Sequence, residues 1–283
     1  MRIVMDSVGD IPEKLAKELK ICIIPVNITF GEEAFLSGVT MDHAAFYEKT
    51  KQVTAVNFPK TAHPTPYQFL ECYQTLIEAG ESDILTIVVS TKMAGTIQSA
   101  RLAAEELAGQ ANFYRFDSLA GSAAQGFMAV EAARMAQNGT AIEAILARLE
   151  RMRDQTVSVF TIDSLEYAAK GGRVSTAKSM MASMLSIKPV MQLKDGQIVE
   201  AGRVRTRKKA INHIVEVVKE KVGGTAVNLA IIHANAPDDA AALWKLATAK
   251  LNGAEVNMID MSIAVAINLG PGALGLIAVP VDE

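Results

Sequence analysis

Continuous apolar runs alternate with amphipathic stretches along the first half of the chain. Arg2–Met5, Ile84–Val89 and Asn112–Phe116 read as strands, and Ile21–Phe30 as a strand pair or one strand bent at Pro25. Helices are expected from Pro12, near Asp42–Thr50, over Thr65–Ala79, from the turn Ser90–Thr96 through Leu107, after Asp117-Ser118, and over Ala141–Arg153. Pro12 suits a first helical turn because it has no N–H to lose there. Thr54–Pro66 carries three prolines and reads as a loop. Strands that are apolar on both faces and alternate with helices imply a parallel sheet covered on both sides.

The second half has a different pattern. Val157–Ile162 reads as a strand, followed by a helical segment ending at Gly171-Gly172 and a Met-rich helix. Lys188–Leu193 and Ile198–Val204 flank Asp195-Gly196, which signals a hairpin. A helix from about Thr206 to Val222, a strand at Val227–Ile232 and a helix at Pro237–Leu251 follow. Met261–Val281 carries no charge and is long enough to span a membrane. Asn268, Gly270-Pro271-Gly272, Gly275 and Pro280 interrupt it, so it reads instead as two buried strands around a glycine turn. The expectation is an α/β protein of two domains: residues 1–154 with a parallel sheet, and residues 155–283 with a mixed sheet.

Composition narrows the function. Half of the 283 residues are hydrophobic, enough for sizeable cores. The net charge of −3 and 5% aromatics argue against a nucleic-acid binder, which needs a basic excess or stacking platforms. Cys22 and Cys72 read as small buried hydrophobes rather than a disulfide framework. The apolar run at the N-terminus is too short for a signal peptide, and a cytoplasmic protein is expected.

In open α/β sheets, ligands bind at the loops after the carboxyl ends of the strands. Four such connections are polar: Asp6-Ser7, Thr61–Pro66, Ser90–Thr96 and Asp117-Ser118. Each places a hydroxyl near a helix start, and helix capping is the plainer explanation of any one alone. Asn268–Gly275 adds a glycine turn, which can equally serve tight packing. Arg203, Arg205, Arg207, Lys208 and Lys209 form a basic run that reads as a solvated face or as a surface for an anionic partner.

Taken together, the loops resemble the DegV family of fatty-acid-binding proteins. Met5-Asp6-Ser7-Val8-Gly9-Asp10-Ile11-Pro12 resembles the family's T-D-S-T-A-D-L-P start, and Thr61-Ala62-His63-Pro64-Thr65-Pro66 its T-S-Q-P-S-P loop. Ser90 through Ala100 resembles S-S-x-L-S-G-T-Y-Q-S-A, and Leu165 through Arg173 resembles L-x-Y-L-x-K-G-G-R. Asn268 through Gly275 resembles the closing H-x-G-P-G-x-x-G. The five segments keep the family's order and span nearly the whole chain.

The resemblance implies a two-domain DegV-like fold. It also implies one long-chain fatty acid, such as palmitate or stearate, held by its carboxylate with the acyl chain in a buried apolar tunnel. The head-group positions it transfers are Thr61, Ala94 and Asn268. Ala94 stands where the family usually has serine, Asn268 where it has histidine, and His63 where it has glutamine. Backbone N–H groups at Gly95 and Thr96 and the side chain of His63 are expected to complete the set, because a helix N-terminus is a ready anion site. Met180, Met181 and Met184 suit an adaptable tunnel wall, with Phe127 and Met128 as further candidates; core packing is the plainer reading of a methionine stripe. Some relatives present their acid to an ATP-dependent fatty acid kinase, and Arg173 and Arg205 are the expected contacts for such a partner.

The expectation is therefore a carrier, with no catalytic residue, metal, cofactor, nucleic acid or integral membrane segment. Two alternatives stay open. One is a phosphoryl-transfer enzyme built on Asp6, Ser7, Asp117, Ser118 and Thr61, although no phosphate-binding loop, zinc motif or nucleophile elbow is present. The other is a regulatory protein that keeps the lipid as a structural plug.

Overall fold

The computed structural model describes residues 1–174, 177–180 and 187–281. The chain forms two compact units, Met1–Asp154 and Gln155–Glu283.

The first unit runs β1 (Arg2–Asp6), α1 (Glu13–Glu18), β2 (Cys22–Ile24), β3 (Asn27–Phe30), β4 (Glu33–Leu36), α2 (His43–Thr50), β5 (Pro59–Ala62), α3 (Pro66–Glu78), β6 (Asp83–Val88), α4 (Thr96–Glu106), β7 (Asn112–Asp117), α5 (Ser122–Gln137) and α6 (Ile142–Gln155). Strands β2, β1, β6 and β7 form a parallel sheet in that order. β1 and β6 are buried at all but their first residue, which is why they read as unbroken apolar runs. Phe69 and Tyr73 of α3 and Ala100 and Ala103 of α4 pack with Val4, Ile24 and Ile84 of the sheet. Thr86, the polar residue within β6, is buried because its hydroxyl bonds that of Tyr73 at 2.7 Å.

Ile21–Phe30 is the strand pair β2 and β3, and β3 belongs to a second, antiparallel sheet, β4-β3-β5, whose other two strands the sequence does not announce: β5 falls within the expected loop Thr54–Pro66. Its two outer strands are four residues long and largely exposed, and Pro59 opens β5. Short edge strands carry almost no alternation, and proline is tolerated at such positions.

The second unit runs β8 (Val157–Thr161), α7 (Leu165–Gly171), α8 (Ala177–Met180), β9 (Lys188–Lys194), β10 (Gln197–Val204), α9 (Arg207–Val222), β11 (Val227–His233), α10 (Pro237–Lys250), β12 (Gly253–Asp260), α11 (Ile263–Leu269) and β13 (Leu274–Pro280). Its sheet is ordered β10-β9-β8-β13-β11-β12, parallel only between β11 and β12. Ile214 and Val218 of α9 and Leu243 of α10 meet Val190, Leu229 and Leu276 in its core. The expected hairpin is β9–β10, with Asp195 at φ 48° and Gly196 at φ 77°, the paired positive values that a tight hairpin turn requires.

Met261–Val281 departs from the expectation of two strands. Its first part is the helix α11, and only β13 is a strand. Ile263, Ala264, Ala266, Ile267 and Leu269 are all buried. A short helix covered on most sides shows no apolar stripe and cannot be told from a strand by periodicity. β12 was also missed, because this edge strand is mostly exposed. Met181 and Met184 lie outside the described residues. No helix among the described residues is long and apolar enough to cross a membrane.

Candidate functional site

In the first unit the polar strand ends are bound to one another. Asp6, fully buried at the end of β1, accepts from Val8 N at 3.0 Å and, through its other oxygen, from Val89 N at 2.9 Å. Gln125 of α5 adds a weaker bond at 3.3 Å. Burial outweighs these bonds and pushes the Asp6 carboxyl up to about 6. Ser7 Oγ accepts from Val26 N at 2.9 Å, and Ser118 Oγ donates to Val88 O at 2.7 Å. Thr91 and Asp117 bond side chain to side chain at 2.5 Å. These groups pin the connections after β1, β2, β6 and β7 to each other.

The expected head-group residues sit on loops held in this way. Thr61 is the penultimate residue of β5, in register with Ile28, and is half-buried. The chain then turns through His63 into α3, whose start is a capping box between Thr65 and Gln68. Asn27 Nδ2 donates to His63 O at 3.2 Å and to Gln68 Oε1 at 3.0 Å, while Gln68 Nε2 donates to Pro25 O at 3.0 Å. The His63 ring lies over Gly95, near enough that a Cβ there would meet its Cε1 at 3.4 Å. Gly95 is the N-cap of α4 and offers no capping side chain; the first backbone bond of that turn is Gln98 N to Gly95 O. The amides of Thr96 and Ile97 therefore point out of the helix start beside an imidazole, in the arrangement that favours an anion. Ala94 is half-buried next to them, and Met93 and Ala94 amides both close onto Ser90 O. The structure thus brings His63 against Gly95, which Ala94 and Thr96 flank, and places Thr61 two residues before His63 in β5 of the same unit.

Asn268 belongs to the second unit, near the end of α11. Its Nδ2 donates to Ala264 O at 2.9 Å, and its Oδ1 is buried without a partner among the described residues. The loop that follows packs onto the segment from Asp163 through α7. A Cβ on Gly171 would stand 2.6 Å from Asn268 Oδ1; one on Gly270, 3.0 Å from the Tyr167 ring; one on Gly272, 2.8 Å from Asp163 Cβ. Gly270 and Gly272 also have φ of 84° and 83°. Gly171, Gly270 and Gly272 are thus required by the close approach of these two segments.

The remaining expected residues are dispersed. Phe127, half-buried, and Met128, buried, lie on α5 of the first unit; Met180, buried, ends α8 of the second. Arg173 and Arg205 are exposed, and Arg173 bonds Gly171 O at 2.6 Å. Arg207, read from sequence as part of a solvated basic run, is instead four-fifths buried and bonded to Asp239 and Gly272 O. No cluster of His, Cys, Asp and Glu able to hold a metal occurs among the described residues.

Comparison with known proteins covers the whole chain. A family model for the DegV family, described as uncharacterised proteins, matches residues 1–281. Protein DegV of Bacillus subtilis is 32% identical over 276 residues, covering 97% of each chain. A solved DegV family protein of Thermus thermophilus, described by its fatty acid binding, superposes with a TM-score of 0.91 at 29% identity, covering 99% of this chain and 100% of that one. The solved structure of Bacillus subtilis DegV, described as a fatty acid binding protein, gives 0.86 at 30% identity and 99% of each chain.

Proposed function

The chain belongs to the DegV family, and from that membership we propose that it binds one long-chain fatty acid and serves as its carrier. The observation that carries this reading is the likeness, end to end and near 30% identity, to DegV proteins that bind fatty acids. The proposed head-group set is Thr61 Oγ1, the amides at the start of α4, His63 and Asn268. A buried carboxylate must be hydrogen-bonded or it is protonated or expelled. Each bond to a charged group contributes about 1.5–3 kcal/mol, so two or three such donors suffice where the serine hydroxyl at position 94 is missing. The acyl chain, gaining about 0.8 kcal/mol for each buried methylene, is proposed to run against Met180, Met181, Met184, Phe127 and Met128. Arg173 and Arg205, both exposed, are the proposed contacts for a fatty acid kinase that takes the acid onward.

A binding role is favoured over phosphoryl transfer by the fate of the polar strand ends. Asp6, Ser7 and Ser118 hold backbone groups of neighbouring loops, and Asp117 holds Thr91. Side chains engaged in holding loops are poorly placed to act as base or nucleophile, which supports the binding reading. The test is organic extraction and mass spectrometry of protein purified without added lipid. About one equivalent of a long-chain fatty acid is expected; no co-purifying acid, together with no binding of palmitate on titration, overturns the proposal.

A further inference from the structure

Arg207 opens α9, on the far side of the sheet connection from the glycine loop in sequence, yet its guanidinium reaches that loop. Nη2 donates to Gly272 O at 2.7 Å, and Nε donates to Asp239 Oδ2 at 2.8 Å in the first turn of α10. Nη1 is buried and has no acceptor among the described residues. A guanidinium with an unused buried donor is held at that place against a desolvation cost, so the two bonds it does make carry the reason for its position. The same loop is tied on its other side by Gly272 N to Ala234 O at 2.7 Å and Ala234 N to Ala273 O at 2.9 Å. Gly272 is therefore fixed through both its amide and its carbonyl, the carbonyl by Arg207.

The consequence falls on Asn268, four residues earlier. The loop has no side chains at 270 and 272 to wedge it in place, and both residues have φ values open to glycine alone. Such a segment is wide in its conformational choice unless its backbone groups are held. We propose that Arg207 is the positioning residue of this loop: clamped by Asp239, it holds the Gly272 carbonyl and so sets where the end of α11 presents Asn268. The inference rests on the reading of Asn268 as a head-group contact. A fork with two fixed donors suits this task, and lysine, a single point donor, does not span both acceptors.

The test uses the full-length protein, stripped of lipid, with Arg207→Met, Arg207→Lys and Asp239→Asn. Two quantities are read: amide hydrogen exchange across residues 268–275, and the ratio of affinities for palmitate and palmityl alcohol. In Arg207→Met, exchange across 268–275 is expected to rise about tenfold, and the acid-over-alcohol ratio to fall about tenfold while alcohol binding holds. Arg207→Lys and Asp239→Asn are expected to fall between, Arg207→Lys retaining part of the ratio. A general loss of packing would instead weaken acid and alcohol together, and that result overturns the proposal, as does unchanged loop exchange in a folded Arg207→Met. If Arg207→Met does not fold, Asp239→Asn decides in the same way. A wild-type protein indifferent to acid and alcohol defeats the head-group reading, and loop exchange alone then judges Arg207.

Discussion

The two units hold their candidate loops by different means. In the first, polar side chains set back from the loops bind their backbones: buried Asp6, Ser7 and Ser118 and half-buried Gln68 each reach a main-chain group of another segment. In the second, close contact is added to such a bond: Gly171, Gly270 and Gly272 each lack the Cβ that would strike a neighbour, and Arg207 holds the Gly272 carbonyl. The difference bears on which positions can change. Ala94 faces no such constraint and can lose a serine hydroxyl while the α4 amides stay in place. Asn268 lies against Gly171, so its size and that of residue 171 are fixed together.

The sharpest way to break this comparison is at the two anchors. Asp6→Ala leaves the amides of Val8 and Val89 buried without acceptors, at about 1–3 kcal/mol each. Stability by denaturant titration is expected to fall by about 2–6 kcal/mol, and a loss under 1 kcal/mol would show that Asp6 is no anchor. Gly272→Ala places a Cβ 2.8 Å from Asp163 at φ 83°; strain and crowding are expected to cost about 2–4 kcal/mol and to weaken fatty acid binding, measured on the same protein.

Asp6 also gives the first unit a pH dependence. Its carboxyl titrates at about 6 in the folded chain, against about 3.9 unfolded. Between these values the native state holds a proton that the unfolded state has lost, so this group's contribution is full below pH 4 and disappears as pH rises through 6. The expected decline is at most about 3 kcal/mol. It should vanish in Asp6→Asn; a decline of equal size in that variant assigns it to another group.

The smallest expected effect concerns the substituted head-group positions. Ala94→Ser should tighten palmitate binding by several-fold, up to about tenfold, by returning one donor. Asn268→His should lower stability measurably and alter palmitate affinity, since an imidazole must take the amide's place against Gly171. Binding indifferent to both changes would put the head group elsewhere.

The sequence patterns that survive in the structure are those with strong physical causes. β1 and β6 were legible because strands buried on both faces must be apolar throughout, and the β9–β10 turn because Asp195-Gly196 accepts positive φ. β4, β5 and β12 were not, being short or exposed edges, and α11 was not, because burial erased its period. The polar loops were visible as loops, and their resemblance to the family pointed to a ligand. Their work was not visible: Asp6 meets Val89 across 83 residues and Arg207 meets Gly272 across 65. No local pattern encodes such pairs, so a basic run concealed a buried clamp.

The central claim is that the protein holds a fatty acid by its carboxylate. The most direct measurement is calorimetric titration of lipid-stripped protein with palmitate and with palmityl alcohol, on the wild type and Thr61→Val. The account expects the wild type to prefer the acid by tenfold or more and Thr61→Val to lose about tenfold of that preference, the worth of one bond to a charged group. Equal affinity for acid and alcohol in the wild type would contradict it.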